Sequence, residues 1–412
     1  MFFRENHVFR SGGESNYRIP SLVVTNDGTV LAFCTNRIGT LKDHAEEIDL
    51  VCAIKRPGED WSDVRVLSHF PAWSCNIGSA VYDDVIGRVI VFFHRKPIAR
   101  NEFREYTPEE LAEMTRRAEE LSRLAASQGV TAGARRLISD DNGAHFYEEA
   151  HEVLPARQTH WDGSVHEVGG GTHGSAHGIR LRHGAYAGRL LCPSRTAIGE
   201  YSDWEKIREC VYNNAIYSDD HGRTWRASGC VQVGTSEGTL IERGDGSILY
   251  NSRAYFNDGK RYLAVSRDGG AHYGEFSTDP FLLEETRIGC NASFLRVALE
   301  DVKDRGLLPT GARDVTVFCN PRAETRRGMT ACVSFDTGET YAVTQMIYDG
   351  PSAYSSLDYD KTTGHFHLLY ERGSEEKGKS PYTEGLVVAE FDLEWLLRAR
   401  EADSQIPSDV LS

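Results

Sequence analysis

Three observations predict an all-β chain of the β-propeller type. A turn sequence recurs four times, strand-like runs continue from Ser21 to Asp392, and no Pro/Ser-rich linker divides the chain. The turn reads Ser-x-Asp-x-Gly-x-x-aromatic over residues 139–146, 218–225, 266–273 and 334–341. In such a segment the Ser and Asp oxygens bond nearby backbone amides, Gly143, Gly222, Gly270 and Gly338 take positive φ, and the closing aromatic packs into a core. The copies begin 79, 48 and 68 residues apart. That spacing is too irregular for a thin solenoid but suits one turn reused in successive sheets with variable loops.

At 412 residues the chain exceeds what one compact core holds, so it is either multidomain or a radial array whose core is divided among sheets. With no linker, the expectation is a single domain over residues 1–412. The strand runs include SLVVTNDGTVLAF, GRVIVFFH, GRLLCPS, GSILYNSR, RYLAVS, DVTVFCN, HFHLLYE and GLVVAEF, mostly bounded by Gly, Asp or Asn.

Two segments depart from the strand pattern. Thr107-Pro108-Glu109-Glu110 combines an N-cap, a proline at the first helical position and a glutamate at the third. Leu111, Met114, Ala118, Leu121 and Leu124 then recur at heptad-like spacing until Gly129. This predicts a helical insertion over about residues 107–128. Its apolar stripe is expected to pack on the strands, with a dimer contact or a lid as alternatives. A short C-terminal helix begins at Asp392 and runs through Trp395 and Leu396 toward Arg400.

Lysine and arginine number 46 against 61 aspartates and glutamates, a net charge of −15 with no basic block. This argues against nucleic acid or an anionic membrane as partner, and any anionic ligand must be held by a local arginine cluster. Nine cysteines lie singly with no CxxC pair. They read as buried free thiols rather than a disulfide framework, and favour a cytoplasmic location. The N-terminus MFFRENHVFR carries no apolar run with a small-residue cleavage site, and no 18-residue apolar stretch occurs. The chain reads as soluble, with prior removal of an export signal as the alternative. Nothing in the sequence specifies an oligomeric state.

Polar residues that fit poorly in a strand core point to a site. Arg18 lies in Tyr17-Arg18-Ile19-Pro20, where the proline blocks ladder pairing and leaves the arginine at a strand mouth. Arg253 ends another strand in Tyr250-Asn251-Ser252-Arg253, and Arg326 follows Cys319-Asn320-Pro321 just before the fourth turn motif. Taken singly, each such arginine is more often a surface ion-pair residue.

Together with the turn repeats, these segments resemble the exo-α-sialidase family of glycoside hydrolases over roughly residues 7 to 398. The resemblance implies a six-bladed β-propeller in which three arginines grip a substrate carboxylate. Arg18, Arg253 and Arg326 stand at the matching motif positions, with Arg327 the alternative to Arg326. The loop containing Arg37 and Lys42-Asp43-His44-Ala45 is similar to the family's first-blade loop, which makes Asp43 the implied general acid/base and Arg37 its neighbour in the site. Glu237 in Thr235-Ser236-Glu237-Gly238 resembles the glutamate that activates the nucleophile. Tyr354 in Ala353-Tyr354-Ser355-Ser356-Leu357 resembles the nucleophile, and Glu371 in Leu369-Tyr370-Glu371 the carboxylate that orients the first arginine. No cofactor or metal is implied.

Physical chemistry supports these residue types independently. A 2-keto sugar acid carries a carboxylate on its anomeric carbon, so a carboxylate nucleophile would meet a like charge at close range, whereas a neutral tyrosine would not. Tyrosine, with a pKa near 10, needs a base beside it, and tyrosine-using sialidases are an exception to the two-carboxylate pattern of glycosidases. Guanidinium groups suit the grip because their planar fork pairs with a carboxylate in a bidentate way. The expected activity is therefore release of terminal sialic acid, or a related 2-ulosonic acid, from glycans with retention of configuration.

Cys75-Asn76-Ile77-Gly78-Ser79 departs from the Asn-Pro that the family often shows before its second-blade strand. This leaves a hydrolase for a non-acetamido acid, such as deaminated sialic acid or 3-deoxy-octulosonic acid, as one alternative. A non-catalytic carbohydrate-binding propeller is the second. His160, His166, His173, His177 and His183 cluster in the sequence, but intervening glycines and the lack of a completing carboxylate or thiol argue against a zinc set.

Overall fold

The structure is a computed structural model and describes residues 1–43, 47–97, 107–171, 177–199, 204–287, 289–376 and 380–399. Its strands follow one another as up-and-down antiparallel units. Ser15–Val24, Val30–Ile38 and Ile48–Lys55 pair in order. Trp73–Asp83, Arg88–Pro97, Gly133–Ser139 and Tyr147–Ala150 form the next unit, and then Ile179–Arg180, Leu190–Ala197, Val211–Ser218 and Trp225–Ala227. Thr235–Glu242, Ile248–Ala254, Lys260–Ser266 and Gly274–Leu283 follow. Ser293–Ala298, Asp314–Pro321 and Arg327–Ser334 are completed by the first half of the 18-residue strand Val343–Asp360. The second half of that strand opens the last unit with His365–Arg372 and Gly385–Asp392. Phe3–Arg10, from the other end of the chain, supplies its fourth strand.

Neighbouring units pack through their apolar faces. Leu31 and Phe33 share a core cluster with Val89 and Val91, Ile90 and Phe92 with Leu190, Ile216 and Trp225, and Leu191 with Leu240 and Tyr250. The last unit meets the first through Phe9, Leu369 and Val388 against Leu22, Ala32 and Val51. All nine cysteines are free thiols, and every one but Cys210 is fully buried. No helix among the described residues is long and apolar enough to cross a membrane.

The four repeated turns have one geometry. In each, the glycine amide donates to the serine Oγ at 2.9 Å. The aspartate Oδ1 accepts from the amide four residues on, at 2.9, 2.8, 2.9 and 2.9 Å in chain order. The glycines have φ between 80° and 85°, or 79° for Gly222. A side chain there would also collide with a neighbouring sheet: a Cβ on Gly143 would lie 2.3 Å from Leu31 Cδ2, and one on Gly222 2.2 Å from Ile90 Cδ1. Each turn therefore wedges its backbone onto adjoining strands, and the closing aromatic follows it inward. Trp225, for instance, is buried edge-on against Phe92.

The insertion helix is Pro108–Ser127, with both halves of the predicted capping box formed between Thr107 and Glu110. Its docking is slight. Ala125 is its one fully buried residue; it packs with Phe70 and Trp73, and Leu121 and Val130 join at the edge. Leu124 is exposed, so the predicted stripe is only partly covered by strands. The C-terminal helix is Leu393–Leu397, capped by the Asp392 side chain; Arg400 lies outside the described residues.

Candidate active site

Three β-bulges place the candidate residues. Register shifts interrupt the ladders between Arg18 and Ser21, between Thr235 and Gly238, and between Ser352 and Ser355. Each lies at the beginning of the first strand of its unit. They carry Arg18, Glu237 and Tyr354 respectively, as bulges do when they re-aim a side chain out of the pleat. The first is strained: Ile19, a β-branched residue, has φ +62°, a conformation rare for such side chains.

Glu371, fully buried, holds that bulge in place. Its Oε1 accepts from Arg18 Nε at 2.8 Å and from the strained Ile19 amide at 3.0 Å. Its Oε2 accepts from Arg18 Nη2 at 3.4 Å and from the Tyr354 amide at 3.1 Å. One carboxylate thus fixes the first arginine and the backbone of the tyrosine. Burial alone would lower the Arg18 pKa, but Glu371, Tyr382 and Asp43 outweigh it and raise it.

Tyr354 is 5 % exposed. Its hydroxyl donates to Glu237 Oε2 at 2.5 Å and accepts from Arg253 Nη1 at 2.7 Å. Arg253 Nη1 also pairs with Glu237. Burial pushes the phenol well above its ordinary value, with Glu237 adding to the rise and Arg253 and Arg326 opposing it. Burial would raise Glu237 as well, but the charges of Arg253 and Arg195 and the Tyr354 hydrogen bond hold it below the usual carboxylate range. At neutral pH the pair is an ionised carboxylate against a neutral phenol.

Asp43 stands at the rim with its side chain 72 % exposed. Its Oδ1 accepts from Arg37 Nη1 at 2.8 Å and from Arg18 Nη1 at 3.3 Å. Burial first, then the neighbouring Arg18 charge, bring Arg37 down to about 10 against the pull of Asp43, so it remains a cation at neutral pH. His44 and Ala45 lie outside the described residues.

Arg326 Nη2 donates to the Gly289 carbonyl at 2.9 Å, Nη1 donates to the Tyr382 hydroxyl, and the guanidinium lies 5.3 Å from the Tyr354 ring centre. Arg327 instead pairs with Glu375 and Asp349 on the outside. Of the two alternatives, Arg326 is the one brought beside Tyr354. Arg18, Arg37, Asp43, Glu237, Arg253, Arg326, Tyr354 and Glu371 therefore form one connected cluster.

Sequence reasoning missed three neighbours. Arg195, ending Leu190–Ala197, donates from Nη1 to Ser236 Oγ at 3.4 Å beside Glu237. Gly289 has φ +70°, and a Cβ there would lie 2.8 Å from Arg253 Cγ. The Tyr382 ring covers Arg18, with the guanidinium carbon 3.5 Å from its centre. None sits in a recognisable motif. Of the histidines, His160 and His166 stay neighbours, ring centres 6.0 Å apart, but bond Tyr212 at 2.6 Å and Ser164 at 2.7 Å respectively, while His177 lines a separate cavity of about 200 Å3 with Asp358 and Arg180. His173 lies outside the described residues.

Comparison with known proteins gives the same direction. A BNR repeat-like domain model matches residues 118–368. A sialidase of Micromonospora viridifaciens is 36% identical over 225 residues, covering 54% of this chain and 30% of that protein. Human sialidase-4 is 30% identical over 296 residues, covering 68% of this chain and 54% of that protein. The chain thus spans less than two thirds of either relative. The intramolecular trans-sialidase of Ruminococcus gnavus, solved with oseltamivir carboxylate, superposes with a TM-score of 0.66 at 16% identity over 94% of this chain and 97% of that one, which shows a shared fold.

Proposed function

This chain belongs to the BNR repeat-like domain family and to the sialidases, and from that premise we propose that it is a retaining exo-glycosidase that releases terminal sialic acid, or a closely related 2-ulosonic acid, from glycans through a tyrosyl-enzyme intermediate. A single six-bladed β-propeller over residues 1–412 is the architecture this reading uses. The succession of antiparallel units, with the last packed on the first, supports it.

The charge balance of the site carries the proposal. Five arginines, Arg18, Arg37, Arg195, Arg253 and Arg326, gather around the three carboxylates Asp43, Glu237 and Glu371, within a chain of net charge −15. Arg326 pairs with no carboxylate among the described residues, and its two hydrogen bonds go to neutral oxygens. A cationic cluster that includes a guanidinium without a carboxylate partner among the described residues, beside a tyrosine, fits a ligand whose acid group sits on the reacting carbon.

In the proposed reaction the substrate carboxylate lies among Arg18, Arg253 and Arg326. Glu237 takes the phenolic proton as Tyr354 oxygen bonds to the anomeric carbon, and the bond to the leaving oxygen breaks as Asp43 gives that oxygen a proton. A carboxylate bound at Arg18 draws that cation from Asp43 and leaves Asp43 facing a like charge, which favours its protonated form. In the second half, water attacks the anomeric carbon and loses its proton to Asp43, while Tyr354 leaves and recovers its proton from Glu237. Two displacements retain configuration.

The bulge of Trp73–Asp83, between Ile77 and Ala80, encloses Gly78 and Ser79, where the three bulges described above present Arg18, Glu237 and Tyr354. That departure keeps a non-acetamido ulosonic acid as the second reading. The test is a panel of aryl glycosides of sialic acid, deaminated sialic acid and octulosonic acid. Aryl release is expected from at least the first. No release from any member overturns the proposal.

A further inference from the structure

We propose that Tyr382 is a positioning residue that ties Arg18 and Arg326 into a single carboxylate-reading unit. The inference rests on the reading of those arginines as the substrate grip, and goes beyond it by assigning a residue with no motif.

Arg18 lies in the first strand of the first antiparallel unit, and Arg326 in the bend just before the strand Arg327–Ser334 of the fifth. Arg18 has a carboxylate partner in Glu371, whereas Arg326 has none among the described residues. Next to the like charge of Arg253, this guanidinium has no acid among the described residues to hold its plane. Tyr382 supplies the hold. Its hydroxyl accepts from Arg326 Nη1, while the Gly289 carbonyl takes Nη2 at 2.9 Å. Two acceptors on different nitrogens fix the plane of the fork. The Tyr382 ring lies 3.5 Å from the Arg18 guanidinium carbon, a face contact in the range of cation–π attraction. Stacking covers a face of Arg18 and leaves its in-plane N–H groups for Glu371, Asp43 and a ligand.

Tyr382 is itself anchored. It packs on the cluster of Cys290, Ala353 and Tyr354 with Ile19, and its carbonyl accepts from Gly385, where the Gly385–Asp392 strand begins. The brace is thus rooted in the same buried cluster as the tyrosine that would react. Preorganised donors gain affinity because their ordering cost is met before the ligand binds.

The test titrates the full chain with 2,3-unsaturated sialic acid and with its carboxamide, for wild type, Tyr382→Phe and Tyr382→Leu, alongside kcat and KM. Tyr382→Phe keeps the ring and loses only the acceptor for Arg326, so acid affinity should fall about 3- to 10-fold. Tyr382→Leu loses both contacts and should fall by roughly 30-fold or more. Carboxamide binding should change little in either, and KM should rise more than kcat falls. A general loss of structure would move both ligands together, and Tyr382→Phe keeps the test open if the leucine variant does not fold. An unchanged acid-to-amide ratio overturns the proposal. Tighter acid binding on removal of the ring also overturns it, by making Tyr382 an occupant of the slot instead of its brace. If wild type itself does not prefer the acid, the carboxylate grip fails and the brace falls with it, whereas preserved wild-type preference with insensitive variants removes the brace alone.

Discussion

The Tyr354 hydroxyl donates to Glu237 Oε2 across 2.5 Å, although the residues are 117 positions apart. A phenol whose pKa is pushed up by burial cannot ionise by itself at neutral pH, and the depressed carboxylate beside it is in the right state to take its proton. Tyr354→Phe should keep the fold and lower kcat by at least about 100-fold. NMR of the first-formed product should show the α anomer from an α-glycoside. An initial β product would exclude double displacement, and near-normal turnover of the phenylalanine variant would remove Tyr354 as nucleophile.

Asp43 is exposed at the rim while Glu237 and Glu371 are enclosed, the arrangement expected of a group that reaches the leaving oxygen. Asp43→Ala should therefore harm substrates with poor leaving groups far more than activated aryl glycosides, because a good leaving group needs little proton assistance. Equal losses for both substrate kinds would reduce Asp43 to a residue that orients Arg37 and Arg18.

In the proposed reading, substrate identity turns on the C5 substituent. A pocket shaped for the acetamido methyl gains roughly 1 to 3 kcal/mol from it, so kcat/KM for the sialic acid glycoside should exceed that for the deaminated one by about 10- to 100-fold. The reverse preference would make the chain a hydrolase of a non-acetamido acid, with fold and mechanism intact.

How much of this was legible in the sequence depends on the range of the contact. The repeated turns and the Thr107 capping box are local, with bonds spanning two to four residues, and the residues that close them are fixed by spacing. Arg18, Glu237 and Tyr354 were legible through the motifs around them, but not the bulges that aim them, since a register shift is set by the partner strand. Tyr382 reaches Arg326 over 56 positions and Arg195 reaches Ser236 over 41. Neither pairing leaves a trace in its own neighbourhood. The helix stripe misled for the same reason: periodicity marks Leu124 as apolar but says nothing of whether Phe70 and Trp73 extend far enough to cover it.

Acid stability should carry the signature of a buried histidine. His151 lies between Phe92 and Trp225, with both ring nitrogens unpartnered among the described residues, and burial, reinforced by Arg136, pulls it down to about 3. Its folded pKa is below the unfolded value near 6.5, so the unfolded chain binds the extra proton. Stability is full above pH 6.5 and is lost as pH falls toward 3, at about 1.4 kcal/mol per pH unit for one proton. His151→Leu should flatten the dependence of urea unfolding on pH by that slope between pH 4 and 6. An unaltered slope would mean that the folded imidazole still takes its proton.

Gly289 offers a way to separate backbone strain from damage to the site. A methyl there would meet Arg253 Cγ at 2.8 Å and Nε at 3.3 Å, at a residue with φ +70° whose carbonyl accepts from Arg326. Gly246 has φ +82°, but its nearest neighbour would be His183 Cβ at an ordinary 3.6 Å, at the far end of the strand pair that carries Glu237 and Arg253. Alanine at either position takes on the left-handed penalty of about 1 to 2 kcal/mol, which should lower both melting temperatures by similar small amounts. Only Gly289→Ala also displaces the stem of Arg253, whose Nη1 joins Tyr354 and Glu237, so it alone should raise KM for acid substrates, by about 10-fold or more. Equal kinetics in the two variants would show that Arg253 is free to yield, and that Gly289 serves only its turn.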